Sequence, residues 1–289
     1  MKSIVAIATL VAWNLTTGVS VVAQPAAPQK IATEVNSEGH LSSSILLWMR
    51  TDKPRQAGMD RWKGPHAKII AATKGLEEYR QLHLAENNPG LWPAINGVET
   101  TIPTERKIDG VADVTVKSIF SPREGKKQTR LAYKDEINLF KRTILYAALG
   151  GSSRWYDLAQ PKANSDAGSI VFLRMKDGVN EADFKAFIND ELAPTLANMH
   201  VLRELRSKAY LPWQVKQWNT PNVLHDNPKE VQFQGSLMLG FASNNEMDAF
   251  FKSDGVRKLA DRLAVFCSAV HAYELTEAIT FVENGKIIR

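Results

Sequence analysis

The chain repeats itself, and that repetition limits its folds more than any other feature. Ser44-Ile-Leu-Leu-Trp-Met-Arg near the start is echoed by Ser169-Ile-Val-Phe-Leu-Arg-Met in the second half. Each copy reads as an apolar strand followed by an amphipathic helix. In the first copy the helix carries Met59, Trp62, His66 and Ile69 along one stripe and stops at Gly75. In the second it runs from Asn180 to Met199 with Phe184, Phe187, Ile188, Leu192 and Leu196 inward. Pro65 lacks an amide hydrogen, so the first helix is expected to start or restart beside it.

Beyond each helix the pattern continues in parallel. Tyr79–Leu84, Val111–Phe120 and Arg154–Ala159 read as strands, with a helix over Asp135–Leu149. Val201–Tyr210, Phe233–Ser243 and Ala269–Val282 are their counterparts, with a helix starting after a Ser243 cap. Both copies carry a long Trp- and Pro-containing loop between their second and third strands, Glu86–Gly110 and Pro212–Gln232. Loops of that length in a compact domain are commonly functional. The expected fold class is α+β, with two tandem βαββαβ units, residues 42–165 and 166–289.

The N-terminus is a separate matter. Lys2, an apolar run from Ile4 to Ala12 and a small-residue site ending at Ala23 predict a signal peptide over residues 1–23. Residues 24–41 read as a linker, and the apolar run is too interrupted for a membrane span. A periplasmic or secreted location follows as the expectation. Cys267 is the only cysteine, so no intramolecular disulfide can form, and its apolar surroundings predict a buried structural thiol. The net charge of +5 comes without a basic block, so nucleic acid is not implied. Gly-rich phosphate loops and a Gly-x-Ser-x-Gly elbow are missing, which argues against nucleotide use and serine hydrolysis.

Three pieces occur in order: Arg61-Trp-Lys-Gly-Pro-His-Ala, then Tyr79-Arg-Gln-Leu-His, then Asp109-Gly-Val-Ala-Asp-Val. Together they resemble the EthD-type branch of the dimeric α/β-barrel superfamily. The resemblance implies ferredoxin-like units whose sheets face each other in a barrel, here within one chain. The second unit departs from the pattern, with Phe187 in place of Trp62 and Glu191 in place of His66. The superfamily includes cofactor-free monooxygenases, polyketide cyclases, dehydratases, isomerases and some haem enzymes, so the fold does not choose the chemistry.

In such a barrel one strand face packs on helices and the other lines the interior. Leu82 and Leu84 are expected under the helices, leaving Tyr79, Gln81 and His83 inside with Asp113, Thr115 and Lys117. His83 and His66 are then the acid/base candidates, since imidazole exchanges protons near neutral pH. Tyr79, Gln81 and Trp62 are substrate-binding candidates, and Trp92 and Trp213 are expected to cap the pocket from the two loops. No cofactor is assigned. His66 and His83 could meet at a metal, but no His-x-His or His-x-x-x-His spacing supports one. The expected function is cofactor-independent dehydration, cyclisation, isomerisation or oxygenation of a small hydrophobic or aromatic, polyketide-like molecule, by a monomer or homodimer. A non-catalytic hydrophobic-ligand carrier and a haem or metal enzyme are the alternatives.

Overall fold

A computed structural model describes residues 35–121, 125–159 and 165–289. The expected signal peptide and most of the expected linker lie outside those residues. No helix among the described residues is long and apolar enough to cross a membrane.

The first unit contains β1 (Ser37–Gly39), β2 (Leu41–Met49), β3 (Leu76–Leu84), β4 (Gly110–Val116), β5 (Phe140–Ala148) and β6 (Ser153–Tyr156). The second contains β7 (Ala167–Met175), β8 (Glu204–Ala209), β9 (Gly235–Phe241), β10 (Cys267–Glu283) and β11 (Lys286–Ile287). The first four long strands of each unit are ordered fourth, first, third, second: β5-β2-β4-β3 and β10-β7-β9-β8. All pairings are antiparallel.

The two sheets close on each other through their fourth strands. The first half of β10 pairs with β7, and its second half pairs with β3 of the other unit. Likewise β5 pairs with β2, while its continuation β6 pairs with β8. Each unit therefore lends strand length to its neighbour, and the outer edges of β3 and β8, which single units would expose, are paired. β1, within the stretch expected as a linker, pairs with β6.

Helices cover the outside. Helix α1 spans residues 55–71 as α-helical Arg55–Arg61, π-helical Trp62–His66 and α-helical Ala67–Ala71. Helix α2 is Lys126–Glu136. Helix α3 spans residues 181–197 with a π-helical centre at Phe187–Leu192. Its Asn180 cap accepts from the Asp183 amide at 2.8 Å. Helices α4 (Asn244–Lys252), α5 (Asp254–Arg257) and α6 (Ala260–Phe266) complete the second layer. The widened turn explains how Pro65 is tolerated inside α1. In a regular α-helix its ring would meet the carbonyl of Arg61, which has no amide to bond there. The helix therefore neither starts nor restarts at Pro65.

Two elements differ from expectation. The helix expected over Asp135–Leu149 ends at Glu136, and Phe140–Ala148 is strand β5. Ile144, Leu145 and Ala148 fit a helical stripe, but that segment is held between β2 and the Leu224 region instead. The true helix, α2, is mostly charged and polar, with Leu131, Ala132 and Tyr133 as its apolar or aromatic residues.

The long loops are exchanged. Residues 85–109 leave the first unit and run along β10, with Leu91 N–H donating to Ala272 O and Val270 N–H to Glu99 O. Trp92, Ile95 and Val98 join the helix-side core of the second unit. Reciprocally, Leu224 N–H donates to Lys141 O, and Val223 joins the helix-side core of the first unit.

A third core lies between the two sheets and contains Leu46, Leu82, Val111, Ile170, Phe172 and Tyr273. At one end it gives way to six buried charges. Lys208 of β8 donates to Asp113 of β4, Arg206 of β8 to Glu78 of β3 (3.0 Å for the longer of two bonds), and Arg80 of β3 to Glu204 of β8 at 2.5 and 3.2 Å. Every pair crosses from one unit to the other. Burial alone would push the Asp113 carboxyl up, but Lys208 and Arg206 beside it hold it below the usual carboxylate range.

Truncating one member should strand its partner. Lys208→Met is expected to cost about 3–5 kcal/mol in urea unfolding, and adding Asp113→Leu to recover most of that. A single variant as stable as the parent would show that the pairs do not bind the sheets together.

Candidate functional site

Strand β3 places its polar trio on the side opposite to expectation. Tyr79, Gln81 and His83 face the helices, while Leu82 and Leu84 face the barrel interior. The inversion has a simple cause: this interior is itself apolar, so leucines do not mark the helix side. Asp113 does face the interior, but Arg80 rather than Gln81 is its neighbour in register.

Gln81 is the centre of the trio. Its Nε2 donates to the Trp62 carbonyl at 2.8 Å and to the Tyr79 hydroxyl at 2.7 Å. A carbonyl can only accept, so the amide orientation is fixed, and Oε1 must be the atom facing His83. His83 Nε2, 3.0 Å from that Oε1, therefore carries the proton. Its Nδ1 keeps a lone pair that bonds no group among the described residues. Burial lowers the His83 pKa to about 4, so the ring is neutral at pH 7. The Tyr79 hydroxyl is pushed up by burial and stays protonated.

Trp62 roofs this relay. Its indole stacks on His83, with ring centroids 4.6 Å apart and planes 20° from parallel. The neighbouring motif explains how it fits. A Cβ on Gly110 would stand 2.4 Å from the indole, so only glycine admits the ring at the start of β4. Asp109 accepts from the Met49 amide at 2.7 Å and from Arg55 Nε at 2.6 Å, fixing the start of α1 against the sheet. Asp109 is thus a structural anchor.

His66 lies in the same layer but in another cluster. Its Nδ1 is 3.0 Å from Asp135 Oδ2, and Arg61 Nε donates to Asp135 Oδ1 at 3.1 Å. The bond to His66, followed by that to Arg61, holds the Asp135 carboxyl below the usual range. Phe140 stands edge-on to both Trp62 and His66. The two histidines are therefore separated by aromatic rings, and among the described residues no three His, Cys, Asp or Glu side chains gather as a metal site.

Next to Asp135 sits a group that the sequence did not reveal. Glu136 is buried, accepts from Trp218 Nε1 at 3.2 Å and from the Thr220 hydroxyl, and is raised to about 7 by burial. Its partners come from the loop of the other unit, so no local spacing announces them. Trp92, expected as a cap here, packs edge-on to Phe251 at 5.8 Å in the second unit. Trp213 packs against the core between the sheets. Neither covers the trio.

The second unit has no equivalent site. The helix-side residues of β8 are Leu205, Ser207 and Ala209, where β3 has Tyr79, Gln81 and His83. Phe187 stacks on Phe266 at 4.3 Å, and Glu191 is paired with Arg262 at 2.6 Å. Cys267 is buried and its thiol is pushed up, as expected of a structural cysteine.

Two changes test this geometry. Gly110→Ala should displace Trp62 and shift its fluorescence, with a loss of about 1–3 kcal/mol from overpacking. An unchanged spectrum would refute the close approach. Glu136 has a folded pKa above its unfolded value, so its contribution to stability is present below about 4.5 and lost as pH rises through about 7. Glu136→Gln should therefore melt higher than the parent at pH 8 and lose that advantage at pH 5.

No family model matches the sequence, and no curated protein sequence matches it. Solved structures do. A "putative monooxygenase" from Fusobacterium nucleatum aligns with a TM-score of 0.55 at 7% identity, over 87% of this chain and 98% of its own. A protein of the same description from Lactobacillus acidophilus aligns with a TM-score of 0.50 at 8% identity, over 87% of this chain and 100% of its own. At these identities the likeness concerns the fold. With the strand order and the closure between units, it shows that the chain has the ferredoxin-like, dimeric α/β-barrel fold, formed from two tandem units.

Proposed function

We propose that this chain is an exported small-molecule enzyme of EthD-like type, with one working site in its first unit. The observation that carries the reading is the fixed state of His83. Gln81 holds the proton on Nε2 and leaves Nδ1 as a neutral, unpaired base beside the face of Trp62. A base of this kind removes a proton from an activated carbon or a phenolic hydroxyl of a flat substrate. The imidazolium formed is opposed by burial and favoured by the nearby Glu277 carboxylate. Gln81 and Tyr79 keep the ring in its tautomer and orientation, as positioning residues. His66, locked to Asp135 and Arg61, holds the π turn that carries Trp62.

Such chemistry covers dehydration, cyclisation, isomerisation and cofactor-independent oxygenation of an aromatic or polyketide-like molecule. The resemblance in three ordered motifs and the fold shared with proteins described as monooxygenases support this class.

The test is turnover of hydroxylated aromatic ketones by the purified protein under air, followed by absorbance and oxygen consumption. His83→Ala is expected to lower kcat by about 10²–10⁴ with KM little changed. Gln81→Leu should lower kcat less and alter the acid limb of the pH profile, which in the parent falls as pH drops through about 4. Undiminished turnover by His83→Ala would overturn the assignment. Binding without turnover by the parent would indicate a carrier instead.

A further inference from the structure

The barrel interior holds a second polar cluster, on the far side of the sheet from His83 and at the end opposite the six paired charges. Arg106, from the Thr104–Arg106 turn of the exchanged loop, reaches into it and is 3% exposed. Its guanidinium lies over Phe233 at 4.9 Å and Trp48 at 5.4 Å. Its Nε and Nη2 have no hydrogen-bond partner among the described residues. No carboxylate forms an ion pair with Arg106 among the described residues.

Those two nitrogens form one edge of the guanidinium, the edge that grips a carboxylate at two points. The same protein uses this edge repeatedly. Arg50 holds Asp52 by Nε and Nη2 at 2.8 and 2.6 Å, and Arg262 holds Glu191 by the same pair at 2.6 Å each. Arg106 has that edge buried and unfilled. A buried charge without a counterpart is strongly unfavourable, so the arrangement calls for an anion.

The surroundings fit one. Trp48 Nε1 is a buried donor without a partner, and its ring is beside Arg106. His271, wholly buried and edge-on to Phe233 at 5.6 Å, donates from Nε2 to Glu99 at 2.7 Å. Its Nδ1 is also unpartnered, and burial lowers its pKa to about 4. A neutral Nδ1 is an acceptor, suited to a hydroxyl on the bound molecule. Arg174, over Phe233 at 5.8 Å, adds a second positive charge, while its partner Glu99 is half exposed at the rim.

We infer that this end of the barrel interior is a binding site for a small organic carboxylate, gripped at two points by Arg106 and assisted by Trp48 and His271. The site is separate from the His83 relay and does not depend on it.

The test uses the full chain, with acetate and benzoate titrated at constant ionic strength against neutral acetamide and benzamide. Melting temperature and tryptophan fluorescence are the readouts. A carboxylate is expected to give a saturable rise in melting temperature that its matched amide does not. Arg106→Gln should weaken that binding at least tenfold, while Arg50→Gln at the surface leaves it intact. If Arg106→Gln does not fold, the carboxylate–amide contrast in the parent decides alone. Absence of saturable binding by either carboxylate, equal responses to acid and amide, or unchanged binding by a folded Arg106→Gln would overturn the inference.

Discussion

Three ion pairs across the barrel interior are what the architecture is built around. Asp113–Lys208, Glu78–Arg206 and Arg80–Glu204 each take one member from β3 or β4 and one from β8. None can form within a single unit. Their net worth against a purely apolar interior is modest, because desolvating six charges offsets much of the attraction. Their specificity is the larger contribution. Sliding one sheet against the other would separate all three pairs, and of the three carboxylates only Glu204, held by Arg206 Nε of its own strand at 2.7 Å, would keep a charged partner. Arg206 adds a further constraint by stacking on Trp155 at 3.9 Å.

With that end of the interior committed to docking, the relay of Tyr79, Gln81 and His83 lies outside it, in the layer between sheet and helix. There the duplicated fold has diverged. Both units keep a π-helical turn in the first helix, at Trp62–His66 and at Phe187–Leu192. In the first unit the turn presents the Trp62 carbonyl to Gln81 and the indole to His83. In the second it supports a phenylalanine stack. One backbone irregularity thus serves a polar relay in one half and plain packing in the other, and the side chains of the facing strand decide which.

The repeat, the succession of strands and helices and the single polar half were legible in the sequence because they follow from local periodicity and from ordered motifs. The Asp109-Gly110 motif was visible too, although its purpose, an anchor for Arg55 and a gap for Trp62, needed coordinates. The facing of β3 was not legible. Alternation shows which residues share a face but not which layer that face meets, and here both layers are apolar. Helix α2 escaped because Lys126–Glu136 has few apolar residues, and β5 was masked by a stripe that suits either period. Glu136 and Arg106 depend on loops exchanged between units, and such contacts leave no trace in spacing.

The sharing of β10 has a consequence for how the chain is made. Cys267–Glu283 follows all the other long strands in sequence, yet it is the strand that covers both β3 and β7. During synthesis the first unit can pair β5, β2, β4 and β3, but the outer edge of β3 must wait until β10, far along the chain, has emerged. Until then that edge offers open amides and carbonyls to any neighbouring strand. Strand β10 therefore acts as a clasp as well as a wall, and the period before it arrives is when a nascent chain is most exposed to pairing with another copy.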